Sequence, residues 1–291
     1  MTFQRSRPYP CTRKTKFQKF CVVAAGLFSC VLIPLSAVPA QILDRIHLFP
    51  DTTFVSPFSA DAHAHRMLIE NILFTKNERA SMGGSFPIFN IDMFGTTAQA
   101  NLAASVHFEL HPMGQAHVIS NDYYVDYLLL DIPVHQYNFV RFAAGHTSHH
   151  LSDNWYERLH YTSAVRYSRD YFKLLYIYEQ TVNDQFYLGV DYGYFVTIVQ
   201  RIHAPWTFQS GGKKAIAKLA DRIVLFAAFD CKIRQEAAFA ATTTIQFGCA
   251  IPMQGQRILR LELQHRFGLD ERGQFFPQHR VINTIGLSFE M

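Results

Sequence analysis

His146, Thr147 and Ser148 form the most suggestive chemical grouping in the chain. On a β-strand, residues two apart point to the same side, with their backbones about 7 Å apart. A histidine so placed can act as general base for a serine nucleophile. A third polar group must then orient the imidazole. Glu157 is the expected third member, with Asp153 and Asn154 in the same segment. The same stretch offers a metal reading through His146, His150 and Asp153, though no fourth ligand is evident. It also allows a plainer one, in which His and Asp side chains only order a loop by hydrogen bonds. Asp61-Ala62-His63-Ala64-His65 has the His-x-His spacing that often opens a metallohydrolase site, but no matching ligands follow. It reads instead as a polar periplasmic segment. No glycine-rich phosphate loop and no Gly-x-Ser-x-Gly occur, and no cofactor is expected.

The elements that must hold His146 and Ser148 are strands. In the segment 186–198, Phe186, Leu188, Val190, Tyr192, Tyr194, Val196 and Ile198 alternate with Tyr187, Gly189, Asp191, Gly193 and Thr197. Leu102, Val106, Phe108 and Leu110 alternate with Gln99, Asn101, His107 and Glu109. Leu259, Leu261, Leu263 and Phe267 alternate with Arg260, Glu262, Gln264 and Arg266. Charges on one face and aliphatics on the other suit a barrel with a wet interior and a lipid-facing exterior. The pattern predicts strands at 98–110, 122–132, 137–148, 159–169, 171–181, 186–200, 221–233, 237–251, 257–267 and 280–291, with weaker ones at 68–75 and 85–94. The fold class is therefore all-β, a closed antiparallel transmembrane barrel of 10–12 strands over 67–291. Closure is required because an open edge in lipid leaves backbone amides without partners. Residues 201–220, with Gly211-Gly212-Lys213-Lys214, read as a loop, and 41–66 as an irregular periplasmic lead-in.

Parity assigns faces. Val140, Phe142 and Ala144 share the side of His146 and Ser148, whereas Arg141 lies on the other. A charge facing lipid near the bilayer midplane costs about 2–4 kcal/mol, so Arg141 belongs in the lumen and His146 and Ser148 face outward. Counting seven strands back from a periplasmic C-terminus puts the segment 149–158 on the extracellular side. Trp155, Tyr156, Tyr161 and Tyr167 read as interface aromatics.

Arg5, Arg7, Arg13, Lys14, Lys16 and Lys19, then the apolar run 21–38 and Ala37-Val38-Pro39-Ala40, make 1–40 a cleaved signal peptide. With it go Cys11, Cys21 and Cys30. Cys231 and Cys249 remain, both on the lipid face by parity, and the sequence leaves open whether they pair. The 26 Phe and 14 Tyr beside only 17% charged residues are unusual for a soluble domain. The formal charge of +4 includes the basic leader and does not point to nucleic acid.

Three segments carry a family resemblance: Leu48-Phe49-Pro50 with Ser59-Ala60-Asp61 and Gly83-Gly84-Ser85-Phe86-Pro87; Asn121-Asp122-Tyr123 with Pro133; and Gly145 to Asp153. Together they resemble an uncharacterised (domain-of-unknown-function) family of exported bacterial proteins of outer-membrane type, whose hallmark reads His-x-Ser-Ser-His-Leu-Gly-Asp-Glu. The chain keeps His146, Ser148, His150, Leu151 and Asp153 and departs at His149, Ser152 and Asn154. The His-x-Ser pair is itself similar to that of outer-membrane phospholipase A and the outer-membrane lipid A deacylase. Gly286, Phe289 and Met291 resemble the C-terminal signal by which barrels are recognised for insertion, with Met where Phe or Trp is usual. These likenesses imply a Gram-negative outer-membrane location, with membrane lipids and the barrel-assembly machinery as partners. The expected role is structural, binding or small-pore. The alternatives are an outer-leaflet lipid hydrolase using Ser148 and His146, and a soluble periplasmic β-protein.

Overall fold

The computed structural model describes residues 45–93, 95–112, 116–153, 155, 167–198, 200–201, 203–220, 222–254, 257–275 and 278–290. Its strands are β1 (Ile46–Leu48), β2 (Met67–Ile72), β3 (Glu78–Met93), β4 (Thr96–Pro112), β5 (Ala116–His135), β6 (Asn138–Leu151), β7 (Tyr167–Thr181), β8 (Asp184–Ile198), β9 (Gln200–Arg201), β10 (Trp206–Ala220), β11 (Ile223–Arg234), β12 (Ala240–Pro252), β13 (Ile258–Leu269) and β14 (His279–Glu290). Apart from the short β1 and β9, each strand pairs antiparallel with its neighbours in the chain. β14 then returns to β2, from Thr284 opposite Ile72 to Phe289 opposite Met67. The result is a closed up-and-down barrel of twelve strands among the described residues.

Alternation places the side chains as the sequence predicts. Arg260, Glu262, Gln264 and Arg266 are buried in the lumen, while Leu261, Leu263 and Phe267 are exposed on the outside. The apolar exposure continues through Leu174, Leu188, Phe247, Ile285 and Leu287. A soluble β-protein would stack such faces against each other; here they look outward, as lipid requires. Cys231 and Cys249 are both free thiols, and their cross-strand partners are Thr243 and Leu225.

Three strand expectations need correction. The loop expected at 201–220 is largely β10. Its Gly211-Gly212 pair, which broke the hydrophobic pattern, is a packing device. A Cβ on Gly211 would lie 2.2 Å from the Tyr187 hydroxyl oxygen. Tyr187 crosses that gap from β8 and donates to Asp230 on β11 at 2.7 Å. An aromatic ring covering a sheet glycine in this way restores packing that the missing side chain gives up. Second, the strands expected at 159–169 and 171–181 are, within the described residues, the single strand β7. One strand too many and one too few cancel, so seven strands still follow the 152–166 connection. Third, the alternation in β8 shifts where Asp170 pairs with Phe195 and Tyr171 with Gly193. This bulge leaves Tyr194 and Phe195 both outward and turns Val196 inward, at 2% exposure.

The lead-in expected beneath the barrel is inside it from about residue 53 to 66, whereas Leu48 and Phe49 before it are exposed and the Phe49 N–H donates to Ile88 of β3 at 2.8 Å. The Phe54 N–H donates to Gln99 on β4 at 2.7 Å, and the Ser56 N–H to Glu179 on β7 at 3.1 Å. Phe58 stacks on Tyr187 of β8, ring centroids 3.8 Å apart. Lys213 of β10 donates to Ser59 at 3.0 Å, and Arg66 grips Glu262 of β13 through two bonds of 2.9 and 2.8 Å. Contacts to strands around the ring mean that the segment 52–66 crosses the lumen.

Candidate functional site

His146 and Ser148 lie on the outward face of β6, between buried Gly145, Thr147 and His149. They are not bonded to each other. The His146 Nδ1 meets Asp170 Oδ1 of β7 at 2.5 Å, because antiparallel register sets Asp170 directly opposite His146. The Ser148 hydroxyl instead meets His150 Nε2 at 2.7 Å, and the His150 ring packs edge-on to Tyr123 at 5.9 Å. The outer wall thus carries a serine with an imidazole in contact and, one position along, an imidazole with a carboxylate. The imidazole in contact with the Ser148 hydroxyl is thus that of His150, not that of His146. Asp170, which the sequence reading did not single out, is the carboxylate beside His146. Glu157 and Asn154 lie outside the described residues, as do Tyr156 and Tyr161. Among the described residues no group of three or more His, Cys, Asp or Glu is arranged to hold a metal ion, so His146, His150 and Asp153 are not assembled as a ligand set. Tyr167 is not an interface aromatic but is buried in the lumen, its hydroxyl donating to Glu236 at 3.0 Å.

His149, one of the departures from the hallmark, faces inward and is 2% exposed. Its Nδ1 accepts the Gly273 N–H at 2.8 Å, and its Nε2 lies 2.9 Å from the Thr147 hydroxyl. It ties β6 to the 270–278 connection. Gly145 has the same kind of role as Gly211. The Tyr171 hydroxyl reaches across it to Asp126 at 2.6 Å, and a Cβ there would sit 2.5 Å from Asp126 Oδ1.

The second site is the lumen itself. Residues 55–65 and the walls of β5 to β11 enclose a cavity of about 140 Å³. Asp61 accepts the Lys232 ammonium and a 2.9 Å bond from Gln209. Burial works against the charge of Asp61, but Lys232 in contact and Lys173 beyond it outweigh burial and hold its pKa well below the usual carboxylate range. His63 stacks on Tyr124 at 4.2 Å. Burial first, then the Lys232 cation, push the His63 pKa well below the ordinary imidazole value. His65 bridges Ser105 at 3.0 Å and Asp126 at 3.1 Å. The His-x-His pair set aside as a polar periplasmic segment is therefore part of the lumenal wall. Its only sequence signal was the density of Asp and His in a segment otherwise without pattern.

No family model and no curated protein matches the chain. Among solved structures it is similar to the NanC porin, at 12% identity and a TM-score of 0.42, over 78% of this chain and 99% of that one.

Proposed function

We propose that this is an outer-membrane barrel whose own residues 52–66 narrow the lumen to a small polar cavity, giving it a binding or restricted-passage role. The observation that carries this reading is the set of lumenal contacts from Gln99 on β4 to Glu262 on β13, which hold the segment across the opening. The apolar exterior supports the membrane location. So does the asymmetry of the connections. Those at the end where β2 begins and β14 ends run only 94–95, 136–137, 182–183, 221–222 and 253–257, whereas the other end has 73–77, 113–115 and 235–239 and all of the longer ones, 152–166, 199–205 and 270–278. Short turns belong on the periplasmic side and long connections outside. The leader 1–40 would direct export, and the β14 strand would present the chain to the assembly machinery. The test is conductance in planar bilayers. The intact barrel should pass little current, and deletion of 52–64 should open it severalfold. A large conductance that the deletion leaves unchanged would overturn the plug.

A second reading, lipid hydrolysis at the outer leaflet, is favoured by the outward Ser148–His150 contact of 2.7 Å. Ser148 would attack an ester carbonyl while His150 accepts its proton and returns it to the departing alcohol as the ester C–O bond breaks, and water activated by the same imidazole would then free the fatty acid from the acyl-serine. Fatty acid release from phospholipid or lipid A should then vanish in Ser148→Ala and fall steeply in His150→Ala. Absence of release from the folded wild type in outer-membrane lipid removes this reading.

A further inference from the structure

The connection between β13 and β14 does more than turn the chain. A hairpin between neighbouring strands needs only about two to five residues. This one runs from 270 to 278, and its residues 270–275 cross the barrel mouth. In the ring of twelve strands β6 stands six places from β13, directly opposite. Yet the Gly273 N–H donates to His149 of β6 at 2.8 Å. Phe275 is buried with Ile119 of β5 and Leu151 of β6, and Trp155 packs beside them. Arg272 donates to Glu109 of β4 at 3.0 Å, and Glu271 pairs with Arg79 of β3 at 2.9 Å. The Asp270 carbonyl accepts from Arg234 of β11 at 3.1 Å. Contacts on strands all around the mouth describe a roof. Glu271 is part of that roof and also lines the cavity beneath it.

The roof is held differently from the walls. None of its residues 270–275 belongs to a strand. Phe275 is the apolar anchor, and ion pairs and hydrogen bonds supply most of the rest. Gly273 fits against β7 because it has no side chain, and a Cβ there would run into the Tyr167 ring. Segments with few buried apolar contacts open at lower free energy than the strands beneath them. Glu109 is the pivotal hold. It takes Arg272 from the roof and also Arg280, at the start of β14, through two bonds of 2.8 Å. One carboxylate of β4 thus fixes both ends of the crossing. Without its charge, Arg272 and Arg280 would share only Asp270, which belongs to the connection itself.

We propose that the 270–278 connection is a lid over the outer mouth, latched by Glu109 of β4, whose opening admits solutes to the lumenal cavity. The inference rests on the lumenal reading above and adds a second closure in series with the plug. The plug sets how much passes when the barrel is open, and the lid sets how often it opens.

The test uses the full chain in planar bilayers at neutral pH, with Glu109→Gln and Gly273→Ala. The first removes the latch charge, and the second pushes the lid off Tyr167, so a folding failure in one leaves the other to be read. Each variant is checked for the heat-modifiable gel mobility of a folded barrel. Loss of a charged hydrogen-bond partner should raise the fraction of time open about tenfold or more, at an unchanged open level. Trypsin cleavage after Arg272, followed by mass spectrometry on the same folded proteins, should accelerate in step, because cutting of a closed segment tracks the population of its open form. Open time unchanged in the folded variants overturns the lid. So does free cleavage after Arg272 while open events stay as rare as in the native chain, for the loop would then move without gating. A native chain cut as fast as the variants overturns it too. None of these results touches the plug, which is judged by the open level of the 52–64 deletion.

Discussion

The wall made by β12, β13 and β14 and the wall made by β6 and β7 obey the same alternation but use it differently. On the first, the outward residues toward mid-strand are apolar, Ile245 and Phe247, Leu261 and Leu263, Ile285 and Leu287, apart from one cross-strand pair, His265 and Asn283, which bond each other at 2.8 Å. On the second, Phe142, Phe172 and Leu174 keep that rule toward the middle, and then His146, Asp170, Ser148 and His150 replace it toward the strand ends. The period of two decides which side a residue faces. It does not decide what that face is for. Where the outer face turns polar, each group has found a partner within the wall, as low-dielectric surroundings demand.

The largest expected effect tests that contrast directly. Leu263 sits at the middle of β13, so Leu263→Arg should cost about 2–4 kcal/mol of stability in urea unfolding from lipid vesicles. Ser148 lies near the end of β6, where the wall is already polar, and Ser148→Arg should cost only about 0–1 kcal/mol. Equal penalties at the two sites would erase the distinction between the walls.

A smaller effect should come from the lumenal side of the polar wall. Gly145→Ala inserts a methyl where Asp126 Oδ1 and the Tyr171 hydroxyl already meet. Overpacking of this kind costs typically about 1–3 kcal/mol. Gly145→Ala combined with Tyr171→Phe should recover part of that loss, because the ring no longer has to keep its bond across the gap. Unfolding midpoints of the two single variants and the double variant would show the coupling, and simple additivity would deny it.

These contrasts also mark how far the sequence could be read. Strands with clean alternation, such as 257–267 and 280–291, were legible in face and nearly in boundary. β10 was not, because its glycines hide the pattern and the residue that fills their place, Tyr187, belongs to another strand. At the site, spacing gave the outward face of Ser148 but pointed to His146 as its partner, where the contact is with His150. His146 and His150 stand two residues to either side of it. Only the register of β6 against β7, which sets Asp170 against His146, breaks that symmetry. The plug was illegible for a similar reason. Nothing local connects Asp61 with Lys232, which lies 171 residues further along.

Breaking the outer pair should be milder again. Asp170→Asn keeps the shape but removes the charge that faces His146, and a hydrogen bond to a charged group contributes about 1.5–3 kcal/mol against about 0.5–1.5 for a neutral one. The expected loss is therefore about 1 kcal/mol. A measured loss near that of Leu263→Arg would mean the pair is structural for the whole wall rather than local to it.

The smallest expected effect concerns pH and sets the lumen against both walls. Asp61 and His63 sit on the plug, between Lys232, Arg234, His107 and His149. Both have pKa values lowered by their surroundings, so in the plugged state both resist protonation. A group whose pKa is depressed stabilises the state that depresses it above its ordinary pKa, and that contribution is lost as pH falls. His63 acts first, as pH drops below the ordinary histidine value of about 6.5, and Asp61 only below the ordinary carboxylate range of about 4. Acidification should therefore loosen the plug while the barrel walls, held by strand pairing, persist. In planar bilayers open events should become more frequent between about pH 7 and pH 5, and His63→Gln should flatten that dependence. A plug that tightens on acidification would reverse the sign, and would mean that protonated His63 gains an anionic partner that outweighs Lys232.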